Sequence, residues 1–180
     1  SGANGGFLDP GWPNVRGLCA ALGEEEGIRY LSTLAAQTGE VREWCLRHGA
    51  DIAPHEEGVV FLRAADWQPE PDQAAVDLLA SHGLGHKLRI LDADAVRRIA
   101  DVPQARGGVL CGDVATIQPA RLARELRRVL LERGVRIFET TSMTGLRSGG
   151  PVQVITPEGT VRARQVVVTT GAWAANVPAL

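Results

Sequence analysis

An anion could bind to three consecutive residues near the start of the chain, Asn4, Gly5 and Gly6. Consecutive small residues let successive backbone N–H groups point at one anion, such as a phosphate. Glycine pairs are also common in loops, and composition alone favours a simple flexible terminus by about two to one. The run is therefore kept as a candidate for phosphate contact that needs support from the rest of the chain.

The histidines do not indicate a metal site. His82 and His86 are four residues apart, which on a helix would place both rings on one face. Gly83 and Gly85 both lie between the two histidines and disfavour a helix. No acidic residue or cysteine is found at ligand spacing from them. We therefore expect loop histidines and no bound metal.

No residue is singled out as catalytic. The acidic run Glu24–Glu26 is interpreted as favourable charge near a helix N-terminus, and Asp92 as a helix cap. The chain contains no GxSxG nucleophile elbow, no Walker A loop and no HExxH motif. The catalytic residues consequently stay unknown at this stage.

Length and composition limit the classes of protein. The chain has 180 residues, 44% of them hydrophobic, and a formal net charge of −2. This length predicts one ordinary domain or two small ones, and the charge argues against a nucleic-acid partner. No apolar run reaches the roughly 20 residues of a membrane span. Cys19, Cys45 and Cys111 form no CxxC pair, as expected for reduced thiols in a cytoplasmic protein.

The elements that would position these residues alternate between helix and strand. In the first half the apolar spacing predicts a helix over about Gly23–His48, which Gly49 would end. The segments that follow are predicted, in chain order, as a strand over Gly58–Arg63, a helix over Pro69–Ser81, a strand over Leu88–Leu91, a helix over Ala93–Ile99 capped by Asp92, and an extended run over Gly107–Ile117.

The second half predicts a helix that begins at Pro119 and closes at Gly134. The segments after it are predicted as a strand over Val135–Glu139, a hairpin of Val152–Thr156 with Thr160–Arg164 around the turn Pro157–Gly159, and a central strand over Val166–Thr170 that is apolar on both faces. Helix, glycine and strand in succession are typical of an α/β sheet. We therefore expect an α+β protein with a parallel α/β portion.

Four segments taken together resemble one family. They are Ser1-Gly-Ala-Asn-Gly-Gly-Phe, Gly112-Asp-Val-Ala-Thr-Ile-Gln-Pro-Ala-Arg-Leu, Gly134-Val-Arg-Ile, and Val167-Val-Thr-Thr-Gly-Ala-Trp173. Their order and spacing resemble the FAD-dependent amine and D-amino-acid oxidoreductases, a family that includes D-amino-acid dehydrogenase, glycine and sarcosine oxidases, and gamma-glutamylputrescine oxidase. The resemblance extends over nearly the whole chain.

The resemblance implies a set of FAD contacts. The family's glycine loop along the flavin side of FAD is matched by Ser1, Gly2, Asn4, Gly5 and Gly6. Met143 matches the position whose backbone contacts the adenine, and Thr170, Gly171 and Ala172 match a strand-end turn that packs on the dinucleotide.

The resemblance also implies a domain organisation. Residues 1–54 would be a partial FAD-binding region with a long helix, residues 55–113 a segment of a mainly antiparallel β substrate domain inserted into the α/β domain, and residues 114–180 a further FAD-binding segment. The family's GxGxxG dinucleotide element does not occur in the 180 residues and would lie upstream of Ser1. The chain is therefore interpreted as an internal fragment, inactive alone and with weak or no affinity for FAD.

The implied reaction is oxidation of a C–N bond of an amino acid or amine. Hydride would pass from the substrate carbon to the flavin, and the imine would then hydrolyse. Two alternatives stay open: a stand-alone, non-catalytic binding or interaction domain, and a flavin enzyme of other chemistry on the same scaffold. The expected partners are a small-molecule amine or amino acid and, through an exposed edge of the strand Val166–Thr170, a second copy of the chain.

Overall fold

A computed structural model describes residues 5–176 and divides them into two compact units, the first extending to Val129 and the second beginning at Leu130. In chain order the first unit contains β1 (Phe7–Leu8), α1 (Val15–Leu22), α2 (Glu24–His48), β2 (Val59–Arg63), α3 (Gln73–Ser81), β3 (Leu88–Leu91), α4 (Ala93–Ile99), β4 (Gly107–Cys111), β5 (Ala115–Thr116) and most of α5 (Pro119–Glu132).

The predicted long helix is confirmed as α2, which spans Glu24–His48. Gly49 ends it in the left-handed conformation, with φ 60° and ψ 33°, as expected for a helix C-terminus. Near its start, Gly27 packs so closely on α1 that a Cβ there would lie 2.9 Å from the backbone nitrogen of Cys19. The next residue, Ile28, and Leu31 one turn further along are buried and anchor the helix in the core.

Strands β2, β4 and β3 form an antiparallel sheet in that order, with Phe61 paired to Val109 and Val109 to Ile90. Because successive side chains of a strand point to opposite faces, the sheet contributes to two cores. One core contains Trp12, Leu31, Leu79, Leu88 and Cys111, together with further residues of α1 to α3. The other is smaller and contains Leu91, Val96 and Ala105.

The helix caps confirm one prediction and correct another. The Asp92 carboxylate accepts a 2.7 Å hydrogen bond from the Ala95 amide and caps α4, as predicted. The next helix upstream, α3, begins at Gln73 and not at Pro69. Pro71 disfavours a helical conformation at the residue before it, and Asp72 supplies the cap by accepting from the Ala75 amide.

The second unit contains the antiparallel sheet β6 (Gly145–Arg147), β7 (Val152–Thr156) and β8 (Gly159–Ala163), in the order β6-β7-β8. The β7–β8 pair is the predicted hairpin, with Ile155 opposite Thr160. Strand β6 was not predicted, because it has only three residues and therefore too short an alternating pattern. A 3-10 helix over Gly171–Asn176 is the last described element.

Two predicted strands are wrong. Residues Val135–Glu139 and Val166–Thr170 adopt no strand, and the side chains of Phe138 and Val167 are 64% and 82% exposed. A central strand requires a hydrogen-bonded neighbour on each side, and within residues 5–176 neither segment pairs with another. The strand edge expected at Val166–Thr170 is therefore not present. All strand pairs in the described residues are antiparallel.

Within residues 5–176, no helix combines the length and the apolar character needed to cross a membrane.

Candidate cofactor loop and the adjoining cavity

The described part of the predicted glycine loop is held against β5 by its backbone. Ser1, Gly2 and Asn4 lie outside the described residues, whereas Gly5 is exposed and Gly6 is buried. The Ile117 amide donates a 2.7 Å hydrogen bond to the Gly6 carbonyl oxygen. Gly6 has φ +81°, and a Cβ on it would lie 2.3 Å from the Ile117 carbonyl oxygen. Only glycine fits this position without moving the backbone.

A small set of backbone pairs positions this loop. Phe7 pairs with Thr116 and Leu8 with Ala115, so the β1–β5 ladder has two residues on each strand. His55 exchanges two 2.9 Å backbone hydrogen bonds with Thr116. These pairs bring the loop to one end of β5. The predicted extended run over Gly107–Ile117 is two strands, β4 and β5, separated by a turn at residues 112–113, and their partners were not predicted.

A cavity of about 1190 Å³ adjoins the loop. Its walls are α2, the segment after α2 and the β4–β5 region. Two of the lining residues lie close to Gly6: Leu8 is two positions further along the chain, and Ile117 donates its amide to the Gly6 carbonyl. On the α2 side the wall is made of small residues, among them Ala35, Ala36 and Gly39. The volume exceeds the roughly 300–1,000 Å³ of typical small-molecule sites, so it is large enough for a ligand of cofactor size.

The charged side chains that line the cavity are paired. The Lys87 ammonium lies 2.9 Å from Asp113 Oδ2, and the same oxygen accepts a 2.9 Å hydrogen bond from Trp12 Nε1. Arg42 lies 3.2 Å from Glu56 on the α2 side. The cavity therefore presents an apolar interior with ion pairs in its walls.

The cysteines near the cavity are protected thiols. Burial, with the Asp113 carboxylate as a second cause, raises the pKa of Cys111 to about 12. Burial also raises the pKa of Cys45, which lines the cavity. Since the thiolate is the nucleophile, neither side chain is prepared for nucleophilic chemistry near neutral pH.

The other predicted cofactor contacts lie in the second unit. Met143 is half-buried immediately before β6, where the next residue, Thr144, donates from its amide to the Ile155 carbonyl oxygen at 2.8 Å. Thr170 and Gly171 are exposed, and the Thr170 carbonyl accepts from the Trp173 amide at 3.2 Å. Ala172 lies in the 3-10 helix that begins at Gly171.

The histidines take structural positions. His82 Nε2 lies 2.9 Å from Glu24 Oε1 and connects the end of α3 to the start of α2. His86 lies in a short 3-10 helix, Gly85–Lys87. In the described part of the chain, no group of three or more histidine, cysteine or acidic side chains could hold a metal ion.

Sequence analysis missed the cluster of Trp12, Lys87 and Asp113. The first and last of these are 101 positions apart, and each belongs to a different local segment. Only the fold brings them together. The single sequence-level hint was Asp113 in the family-like segment that begins at Gly112.

Comparison with known proteins identifies related sequences and folds. The family model described as FAD dependent oxidoreductase matches residues 1–180. Gamma-glutamylputrescine oxidoreductase of Escherichia coli (strain K12) is 26% identical over 174 residues, which are 96% of this chain and 40% of that protein.

Solved structures show the same fold. Glycine oxidase from Geobacillus kaustophilus superposes with a TM-score of 0.65 at 23% identity, over 96% of this chain and 45% of that one. L-proline dehydrogenase from P. horikoshii gives a TM-score of 0.64 at 15% identity, over 79% of this chain and 39% of that one. The chain thus spans less than half the length of the relatives that it matches.

Proposed function

Since the chain belongs to the FAD-dependent oxidoreductase family, we propose that it is part of a flavoenzyme that oxidises a C–N bond of an amino acid or amine. The family match over residues 1–180 is the observation that carries this proposal. The names of the relatives support the substrate class, since they include a glycine oxidase and a gamma-glutamylputrescine oxidoreductase. The particular substrate is a matter for experiment.

The geometry around Gly6 fits a cofactor contact. Gly6 has a positive φ and packs against the Ile117 carbonyl, so the loop is fixed to a segment that borders the cavity. A cavity of cofactor size lies beside it. We therefore assign FAD contact to Gly5 and Gly6 in the first unit, with Ser1, Gly2 and Asn4 preceding them in sequence.

The family resemblance assigns further FAD contacts to Met143, Thr170, Gly171 and Ala172. Residues 55–113, which contain the sheet β2-β4-β3, are assigned to the substrate domain, and residues 1–54 and 114–180 to the FAD-binding domain. This assignment rests on the order of the segments in the family.

Bound FAD supplies the acceptor for the hydride that leaves the substrate carbon. The role of this chain's own residues is to orient the cofactor and to exclude water. The apolar cavity walls, including Trp12, Val114 and Ile117, provide the dry surroundings that such a site needs.

The direct test uses the full-length protein. It should purify with, or take up, FAD and reduce a dye or form peroxide when it is given an amino acid or amine from a broad panel. Hydroxylated products, or turnover only with substrates that lack a C–N bond, would indicate another flavin chemistry. Failure to bind FAD would contradict the proposal and favour a non-catalytic binding domain.

Two further assignments follow from the sequence. We place the protein in the cytoplasm, because its three cysteines are free thiols, as is usual for proteins in a reducing compartment. Self-association through sheet edges stays a prediction, and β2 and β3 are the edge strands of the sheet in the first unit. Cell fractionation tests the first assignment and sedimentation velocity tests the second.

A further inference from the structure

Trp12 and Asp113 connect the two chain segments that carry the glycine loop and its partner strand. Trp12 lies four residues after β1, and Asp113 lies two residues before β5. Trp12 is fully buried, and its Nε1 donates to Asp113 Oδ2 at 2.9 Å. The hydrogen bond therefore joins β1 to β5 just beyond the end of their short ladder.

Lys87 completes this cluster from a third segment. Its ammonium lies 2.9 Å from Asp113 Oδ2 and 5.6 Å from the centroid of the Trp12 ring. The Lys87 and Asp113 side chains are only 19% and 28% exposed. A hydrogen bond to a charged group that is largely shielded from water is stronger than one between neutral groups. The cluster therefore stabilises the packing of the three segments against one another.

The β1–β5 ladder needs such a connection. It has two residues per strand, and the other edge of β5 carries the His55–Thr116 bridge. Strand pairs as short as these are marginally stable in water by themselves. The hydrogen bond from the Ile117 amide to the Gly6 carbonyl continues the same ladder by one step. Any loosening of β1 against β5 would therefore be transmitted directly to Gly6.

We propose that Trp12, Lys87 and Asp113 are positioning residues that hold the Gly5–Gly6 loop in the geometry required for FAD. The cluster acts on the loop through the β1–β5 pair, and its three side chains also line the cavity beside the loop. This inference rests on the proposed function, in which the loop contacts the cofactor.

The test compares Trp12→Phe and Asp113→Asn with wild type in the full-length protein. Trp12→Phe keeps an aromatic side chain but removes the N–H donor and leaves a smaller ring at a buried position. Asp113→Asn keeps the size of the side chain and removes the charge that Lys87 faces. We expect the Kd for FAD to rise about tenfold in each variant, as the loss of one charge-assisted hydrogen bond predicts. Lys87→Arg, which keeps a cation, should restore most of the affinity that Lys87→Met loses.

Hydrogen exchange in the FAD-free protein provides a second measurement. The Ile117 amide should exchange faster in Trp12→Phe than in wild type, whereas amides within β4 should keep their protection. This result would locate the loosening at the β1–β5 pair and not in the sheet as a whole.

The control is Asp72→Ala, in the same unit. Asp72 caps α3 and pairs with Arg16 at 2.9 Å, so its loss should lower Tm without changing the Kd for FAD. If Trp12→Phe and Asp113→Asn lower Tm while the FAD affinity and the Ile117 exchange rate stay at wild-type values, the cluster is only structural and the inference is wrong. A wild-type protein that does not bind FAD would instead overturn the proposed function and this inference with it.

Discussion

At Gly6 the backbone conformation and the neighbouring atoms both select glycine. The residue has φ +81°, and the nearest atom to a built Cβ is a backbone oxygen, which cannot rotate away. Glycine in the sequence indicated a loop but not this close approach, because the Ile117 carbonyl that causes it is more than 100 residues further along the chain.

Gly6→Ala should lower the free energy of unfolding of the first unit by about 2–3 kcal/mol, since it adds both a positive-φ strain and a backbone clash. Urea denaturation provides the measurement. Gly39→Ala is the matched control: Gly39 lies within α2 with open space around its Cβ position, so the variant should gain about 0.5–1 kcal/mol. Equal effects of the two substitutions would contradict the close contact at Gly6.

The Cys111 thiol gives a prediction about alkaline pH. Its pKa is raised to about 12 in the folded protein, against 9.0 for a cysteine thiol exposed to water. Between pH 9 and pH 12 the thiol loses its proton in the unfolded chain and keeps it in the folded protein. The contribution of Cys111 to the free energy of unfolding is therefore fully present below pH 9 and is lost as the pH rises toward 12. The slope that this group contributes is at most about 1.4 kcal/mol per pH unit.

Unfolding curves for wild type and Cys111→Ala across this pH range should differ in slope, with wild type losing stability faster. Alkylation adds an independent check: in the native protein at pH 8 the half-buried Cys19 should react first, and Cys111 only after unfolding. Rapid modification of native Cys111 would show that the thiol is not protected.

At the scale of elements, single capping aspartates mark where two helices begin. Asp92 and Asp72 both cap helices in the structure, but only the first was recognised from the sequence. The prolines before Asp72 suggested an earlier start, because proline is common in the first turn of helices. Proline also restricts the residue before it, and this second effect determined the start of α3.

Asp92→Ala should destabilise the first unit by about 1 kcal/mol through loss of the cap on α4, and a thermal melt would detect it. Asp94→Ala is the control on the same helix, since Asp94 is an exposed first-turn residue paired with Arg97 and should have a smaller effect. A larger loss in Asp94→Ala than in Asp92→Ala would contradict the assignment of the cap.

At the scale of the whole molecule, two apolar segments lack the neighbours that a sheet would supply. Val135–Glu139 and Val166–Thr170 have strand-like sequences, yet Phe138 and Val167 are largely exposed. Within residues 5–176 neither segment has a hydrogen-bonded neighbour, so a strand-like sequence was not sufficient to form a strand.

Val167→Lys tests this exposure. The Val167 side chain is 82% exposed, so the variant should change Tm little. Thermal melts of the variant and of wild type provide the measurement. A strong loss of Tm would show that Val167 is buried, since a buried lysine without a partner is costly.

Local patterns in the sequence determined α2, the hairpin β7–β8, the cap at Asp92 and the helix that begins at Pro119, because each depends on residues close together in the chain. The order of the family-like segments determined the family. Only the tertiary structure decided that Trp12, Lys87 and Asp113 meet, that Gly6 packs on Ile117, and that Val135–Glu139 and Val166–Thr170 form no strands. The physical reason is the same in each case: a hydrogen bond or a strand pair requires a partner, and the identity of a partner distant in sequence is decided by the fold.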